Sequence, residues 1–129
     1  MMRVLLDTHI MLWSMCGDPR LSSKARAIIE DESNELYFSS ASLCEISLKR
    51  KIHPGQMPVG AREARTAFVA NGYGELPFEA SHAEAMDDLP MLHRDPFDRM
   101  ILGQAKAEGM KVLSHDNRFP GYGDFVIAV

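Results

Sequence analysis

Cysteine is scarce in this chain: Cys16 and Cys44 stand far apart, with no Cys-x-x-Cys pair and no histidine-rich neighbourhood. Neither a disulfide framework nor a zinc site is therefore indicated, and a reducing cytoplasm is the expected compartment. Long apolar runs are missing as well. Asp7 and His9 interrupt the stretch from Val4 to Trp13 well below the length of a membrane span or a signal core, so neither a targeting segment nor membrane association is expected. Nor is there an excess of positive charge. With 14 Lys and Arg against 18 Asp and Glu, the net charge is −4, which counts against a protein that binds nucleic acid by bulk charge alone. The balance has a second reading, because four acids engaged by a cation would leave the remainder matched to the 14 bases. Repeats, low-complexity tracts and long linkers are also absent. What remains is 129 residues, 46% of them hydrophobic, which suits one domain over residues 1–129 with one core.

The apolar runs that are present are short. Val4 to Leu6 ends at Asp7, and Leu36 to Phe38 ends in Ser39 and Ser40; both read as strands buried on two faces. Glu75 to Phe78 is a weaker candidate, placed toward a sheet edge by Pro77, and Lys111 to Leu113 and Phe125 to Ile127 complete the set. Helical spacing covers residues 9–15, 22–32, 40–52, 59–71, 81–88 and 96–108. Ser81-x-x-Glu84 resembles a capping box, Pro96 suits the first helical position after Asp95, and Gly72 and Gly109 suit helix ends. Strands alternating with helices imply an α/β fold: a three-layer α/β/α sandwich around a five-stranded, mostly parallel sheet with right-handed crossovers.

In such a sheet, ligands gather where the strands run into helices. The first strand ends at Asp7, the second leads into the helix carrying Glu45, and the fourth leads to Ser114, His115 and Asp116. Asp98 opens the helix before that fourth strand and heads the stripe Asp98, Ile101, Leu102, Ala105; Ala41, Glu45, Leu48 and Ile52 repeat the spacing. A carboxylate on a core-facing stripe is costly unless paired, and several converging resist ionisation. A hard divalent cation with oxygen ligands, Mg²⁺ or in its place Mn²⁺, resolves both problems, and a carboxylate cage of this kind suits phosphodiester hydrolysis.

Each acid also has a structural reading. Asp7 serves as a helix cap, Asp95-x-x-Asp98 and Ser42-x-x-Glu45 as capping arrangements, Glu45 with Lys49 as an exposed i, i+4 pair, and Asp116 as a turn residue. Asp95 is placed outside the catalytic set, as the cap that supports Asp98. His9, His93 and His115 are read as non-catalytic. Lys49, Arg50, Lys51 and His53 form either a solvated helix face or a phosphate-holding patch, with Arg94, Arg99 and Arg118 as further candidates and Arg99 also free to pair with a carboxylate. Ile10 to Trp13 reads as core before partner surface, and the nine Met residues suit either a core or an adaptable groove.

Leu5 to His9, Ser39 to Ile46, Leu89 to Ala105 with its HRDPFDR segment, and Leu113 to Phe119 together resemble the PIN domain, specifically the VapC-type toxin ribonuclease of bacterial toxin–antitoxin pairs. The resemblance spans the whole chain. It implies that Asp7, Glu45 and Asp98 are the core acidic residues and Asp116 the fourth, all binding one or two Mg²⁺, and that Ser114 lies near the metal. It further implies strand order 3-2-1-4-5, an RNA substrate cleaved to a 5′-phosphate and a 3′-hydroxyl, a homodimer, and a cognate antitoxin that blocks the site. One position departs from it: Cys44 stands where related sequences often carry Trp before the Glu. Two rival classes are a catalytically inactive PIN-like binding module and a phospho-acceptor receiver or aspartyl phosphatase. The receiver's acidic pair before Asp7 is missing, and so is the phosphatase's second Asp after it.

Overall fold

Val4, Leu5 and Leu6 are all fully buried, which requires cover on both faces of the strand they form. The computed structural model, which describes residues 1–129, supplies that cover. Strand β1 (Arg3–Leu6) is followed by α1 (Thr8–Cys16), α2 (Ser23–Glu30), β2 (Glu35–Ser39), α3 (Ser40–Ile52), α4 (Ala61–Ala70), β3 (Gly74–Leu76), α5 (Ala80–Met86), α6 (Pro96–Glu108), β4 (Lys111–Ser114) and β5 (Val126–Ala128). The five strands form one sheet in the order β3-β2-β1-β4-β5. Every neighbouring pair is parallel, so the expected order holds and the sheet is more uniform than expected.

Alternation along β1 divides the interior in two. Val4 and Leu6 face a core built with Ile10 and Met11 of α1, Phe38 of β2, and Ala64 and Phe68 of α4. Leu5 faces the other core, with Val112 of β4 and Ile101, Leu102 and Ala105 of α6. Each large side chain so buried contributes about 1.5–3 kcal/mol. The sheet is thereby held between helical layers, and the strand ends can carry charge.

Local signals set the helix limits, with some corrections. Asp95 Oδ1 accepts from the backbone N–H groups of Phe97 (2.9 Å) and Asp98 (3.1 Å), Pro96 occupies the first helical position, and Gly109 ends α6 at φ 64°. The expected capping box at Ser81 and Glu84 does not form. Helix α5 begins one residue earlier, and the Glu79 N–H donates to Nδ1 of His82 (2.9 Å). Strand β3 stops at Leu76, short of the expected Phe78, because Pro77 has no N–H for the ladder; Phe78 instead donates its N–H to the Ser40 hydroxyl. The stripe expected on α3 is only half right. Glu45 is buried, whereas Leu48 and Ile52 are about half exposed, since the last turns of α3 run beyond the elements that cover its start. No helix is long and apolar enough to cross a membrane.

Candidate active site

The chain leaves β1 toward β2 and β3 on one side and returns to β4 and β5 on the other, so the order reverses between β1 and β4. The crevice at the carboxyl ends of those two strands is where an open parallel sheet binds ligands. Asp7 lies at the end of β1, two per cent exposed. Its Oδ1 accepts from the N–H of Ile10 (2.8 Å), capping α1, and its Oδ2 accepts from the hydroxyl of Ser114 at the end of β4. The capping role and the site position thus coexist. Burial pushes the Asp7 carboxyl up to about 6, outweighing these two hydrogen bonds, and the charges of Asp116 and Glu45 push the same way.

Asp98 sits at the third position of α6, and the rest of its stripe, Ile101, Leu102 and Ala105, is fully buried as expected. Burial, then repulsion from Asp95 and Glu45, raises its carboxyl to about 7. Glu45 is buried on α3. Its Oε2 pairs with Lys49 and its Oε1 has no hydrogen-bond partner, so the expected i, i+4 pair exists but is not an exposed one. Nor does Ser42 cap a helix: α3 is capped by Ser39, whose hydroxyl accepts from the N–H of Ala41 (2.9 Å), while Ser42 is buried against Thr8. Asp116 bonds the backbone and side chain of Arg118, which hold its carboxyl down to about 2. Ser114 joins two of the acids, donating to Asp7 and accepting from the Asp116 N–H (3.0 Å).

His93, read from sequence as a bystander, is buried in the cluster. Its Nε2 lies 2.7 Å from Asp98 Oδ2 and 3.2 Å from Asp116 Oδ2. The Asp95 N–H donates to its Nδ1 (3.2 Å), which leaves the ring proton on Nε2, pointing at the two carboxylates. His93, Asp98 and Asp116 form a potential metal-binding group, their ligand atoms within 4.8 Å of one another, and it takes in neither Asp7 nor Glu45. In this tautomer the imidazole donates to the acids instead of offering a lone pair. Its segment between α5 and α6 carries no periodicity from which its direction could be read, although HRDPFDR placed it beside Asp98. His9 and His115 are exposed and outside the group.

Arg99 does not face the crevice. Its guanidinium donates to the carbonyls of Pro90 (3.0 Å) and Met86 (3.3 Å), tying down the segment that carries His93.

The matches to known proteins agree with the fold. The PIN domain family model matches residues 4–124. The chain belongs to the PIN domain family. Among solved structures, this PIN domain is similar to VapBC2 from Rickettsia felis bound to a DNA fragment from its promoter (TM-score 0.70, 18% identity, covering 99% of this chain and 98% of that one). It is also similar to a toxin–antitoxin complex from Klebsiella pneumoniae (TM-score 0.66, 18% identity, 97% and 96% covered) and to DNA-bound VapBC from Salmonella typhimurium (TM-score 0.63, 19% identity, 99% and 98% covered). At these identities the likeness is one of fold. No curated sequence matches the chain.

The donor set fits a hard divalent cation. The acids offer only oxygen, Glu45 Oε1 is buried without a partner, and burial together with neighbouring acids raises the carboxyls of Asp7 and Asp98.

Proposed function

We propose that this PIN domain is a Mg²⁺-dependent endoribonuclease and the toxin of a toxin–antitoxin pair, with Asp7, Glu45, Asp98 and Asp116 holding one or two Mg²⁺, for which Mn²⁺ can substitute. The observation that carries the reading is the buried, partnerless Oε1 of Glu45 within a crevice where two further acids have raised carboxyls. When bound, the ion supplies a Lewis acid for the phosphate and lowers the pKa of a water for in-line attack on phosphorus.

The chain's own groups prepare that chemistry. Ser114 fixes the direction of Asp7, His93 fixes Asp98 and Asp116, and Asp95 anchors the first turn of α6 under Asp98. Lys49 pairs with Glu45 and Arg118 with Asp116. With the acids holding a cation, Lys49 and Arg118 would be free to hold RNA phosphates, which would supply locally the positive charge that the acidic chain lacks overall. An antitoxin partner is supported by the complexes in which the structural neighbours were solved, and by the exposed Leu48 and Ile52 of α3, which also suit a homodimer.

The test is cleavage of total cellular RNA by the purified, partner-free protein in Mg²⁺, Mn²⁺ and EDTA, with Asp7→Asn and Asp98→Asn beside the wild type. Metal-dependent cleavage lost in both variants is expected. Binding of Mg²⁺ with no cleavage of any RNA supports an inactive binding module instead, and full activity of Asp7→Asn overturns the site.

A further inference from the structure

Trp13 is the one residue of the Ile10 to Trp13 run that is not wholly buried: Ile10, Met11 and Leu12 are buried, whereas Trp13 packs against the core on one side and stays partly exposed on the other. Two depressions meet on its ring. A groove of about 710 Å³ runs from Trp13 to Glu45 and Lys49, and a shallower one of about 570 Å³ runs from Trp13 to Asp116 and Arg118. The tryptophan therefore stands between two arms of the crevice, each holding one of the acids.

Its surroundings are those of a stacking platform. His9 lies with its ring centroid 5.8 Å away, tilted by 38°, and His115 meets the ring edge at 5.4 Å. Over the ring sits the guanidinium of Arg20, 5.1 Å from the centroid. Both histidines and Arg20 are exposed. A hydrophobic residue serving only the core has no need of three solvated π or cationic groups around it.

Resting on the ribonuclease reading, we propose that Trp13 is a stacking subsite for one unpaired nucleobase of the RNA, next to the phosphate engaged at the carboxylates. Arg20 is the group that makes way. It is held by Asp18 in an exposed ion pair (2.7 Å), an interaction of small net value that an RNA phosphate can replace. The base then takes the ring face and the guanidinium keeps the backbone beside it. Stacking of this kind needs a base with a free face, so the substrate class is single-stranded or looped RNA; a base inside a continuous duplex cannot reach the ring.

Trp13 is the only tryptophan in the chain, so its emission reports on this position alone. The experiment titrates the wild type in EDTA, and Asp98→Asn in Mg²⁺, with a single-stranded hexaadenylate. The same strand in a duplex and ribose 5-phosphate are the comparisons, and end-labelled RNA anisotropy measures binding independently. The single strand is expected to quench Trp13 emission to saturation, and the duplex and the sugar phosphate are not. Trp13→Ala should weaken binding roughly 5- to 150-fold, the range for losing one base–aromatic stack, and Trp13→Phe should keep most of it. In cleavage, the loss should fall on KM more than on kcat. RNA that binds with Trp13 emission unmoved overturns the proposal and returns the platform to a protein partner, and so does undiminished binding by Trp13→Ala. Should Trp13→Ala fail to fold, the quenching titration and the Phe variant still decide. A protein that quenches but never cleaves keeps this subsite and loses the nuclease reading; one that cleaves without quenching does the reverse.

Discussion

His93 and the acids it touches show how single residues divide labour. The imidazole donates to Asp98 and Asp116 through Nε2 while its other nitrogen is satisfied by a backbone N–H, an arrangement that fixes both tautomer and ring plane. His93→Ala should therefore lower Mg²⁺ affinity and cleavage together, by about 10- to 100-fold, the usual cost of removing a residue that orients a ligand. His93→Gln, whose amide can donate from a similar place, should recover part of the loss; metal titration and initial rates check both. Asp98→Asn should cost activity at least about 100-fold, and yet raise the melting temperature in EDTA at pH 8, because a carboxyl pushed up to about 7 is being forced to ionise there. The gain should vanish at pH 5, where that carboxyl keeps its proton. The positions of the four acids were readable because Asp7 closes a strand, Asp98 opens a helix, Glu45 lies on a stripe led by Ala41 that turns toward the core, and Asp116 follows the fourth strand. The facing of His93 was not, since a loop residue has no period, and the partnerless oxygen of Glu45 was not, since hydrogen-bond accounting requires coordinates.

At the scale of elements, α6 links the core to the crevice. Its caps were readable from Asp95, Pro96 and Gly109, and its stripe from Ile101, Leu102 and Ala105. Its closest neighbour was not. Gly103 packs against α5 so tightly that an added Cβ would lie 2.9 Å from the His82 carbonyl and 2.7 Å from Cγ of Met86. Gly103→Ala should destabilise the fold by about 1–3 kcal/mol, as overpacking does, measured by urea denaturation. The backbone carbonyl cannot yield as a side-chain end can, so α6 must shift, and Asp98 shifts with it. Spacing failed on α3 for a related reason. Ala41, Glu45, Leu48 and Ile52 share a stripe, but a stripe predicts burial only along the length that other elements cover, and here that length ends before Leu48. The capping box moved from Ser81 to Glu79 because sequence offers several polar candidates per turn and tertiary contact chooses among them.

The whole molecule carries the electrostatic cost of its site. Asp7 and Asp98, raised from 3.8 to about 6 and about 7, hold protons in the folded state that the unfolded chain has already released. Between pH 4 and 7 the native state thus binds more protons than the unfolded one, and metal-free stability should fall as pH rises through that window. Asp116 works oppositely: lowered to about 2, it adds stability above pH 4 that is lost as pH drops through its folded value. Thermal melts in EDTA should peak near pH 4, where the two windows meet. Mg²⁺ requires the deprotonated acids, so the increase in melting temperature on adding it should be larger at pH 8 than at pH 5. Equal shifts at both pH values would count against carboxylate ligation.

The register of the sheet has one more consequence. Asp7 receives the Ser114 hydroxyl, and β1 pairs with β4 through Leu6 and Leu113, so the first strand waits for a partner more than a hundred residues later. During synthesis on the ribosome, the crevice cannot close until β4 has emerged. A nascent or prematurely terminated chain that stops before Ser114 holds some of these acids but not their arrangement, so the order of translation itself delays assembly of the crevice until the chain is nearly finished.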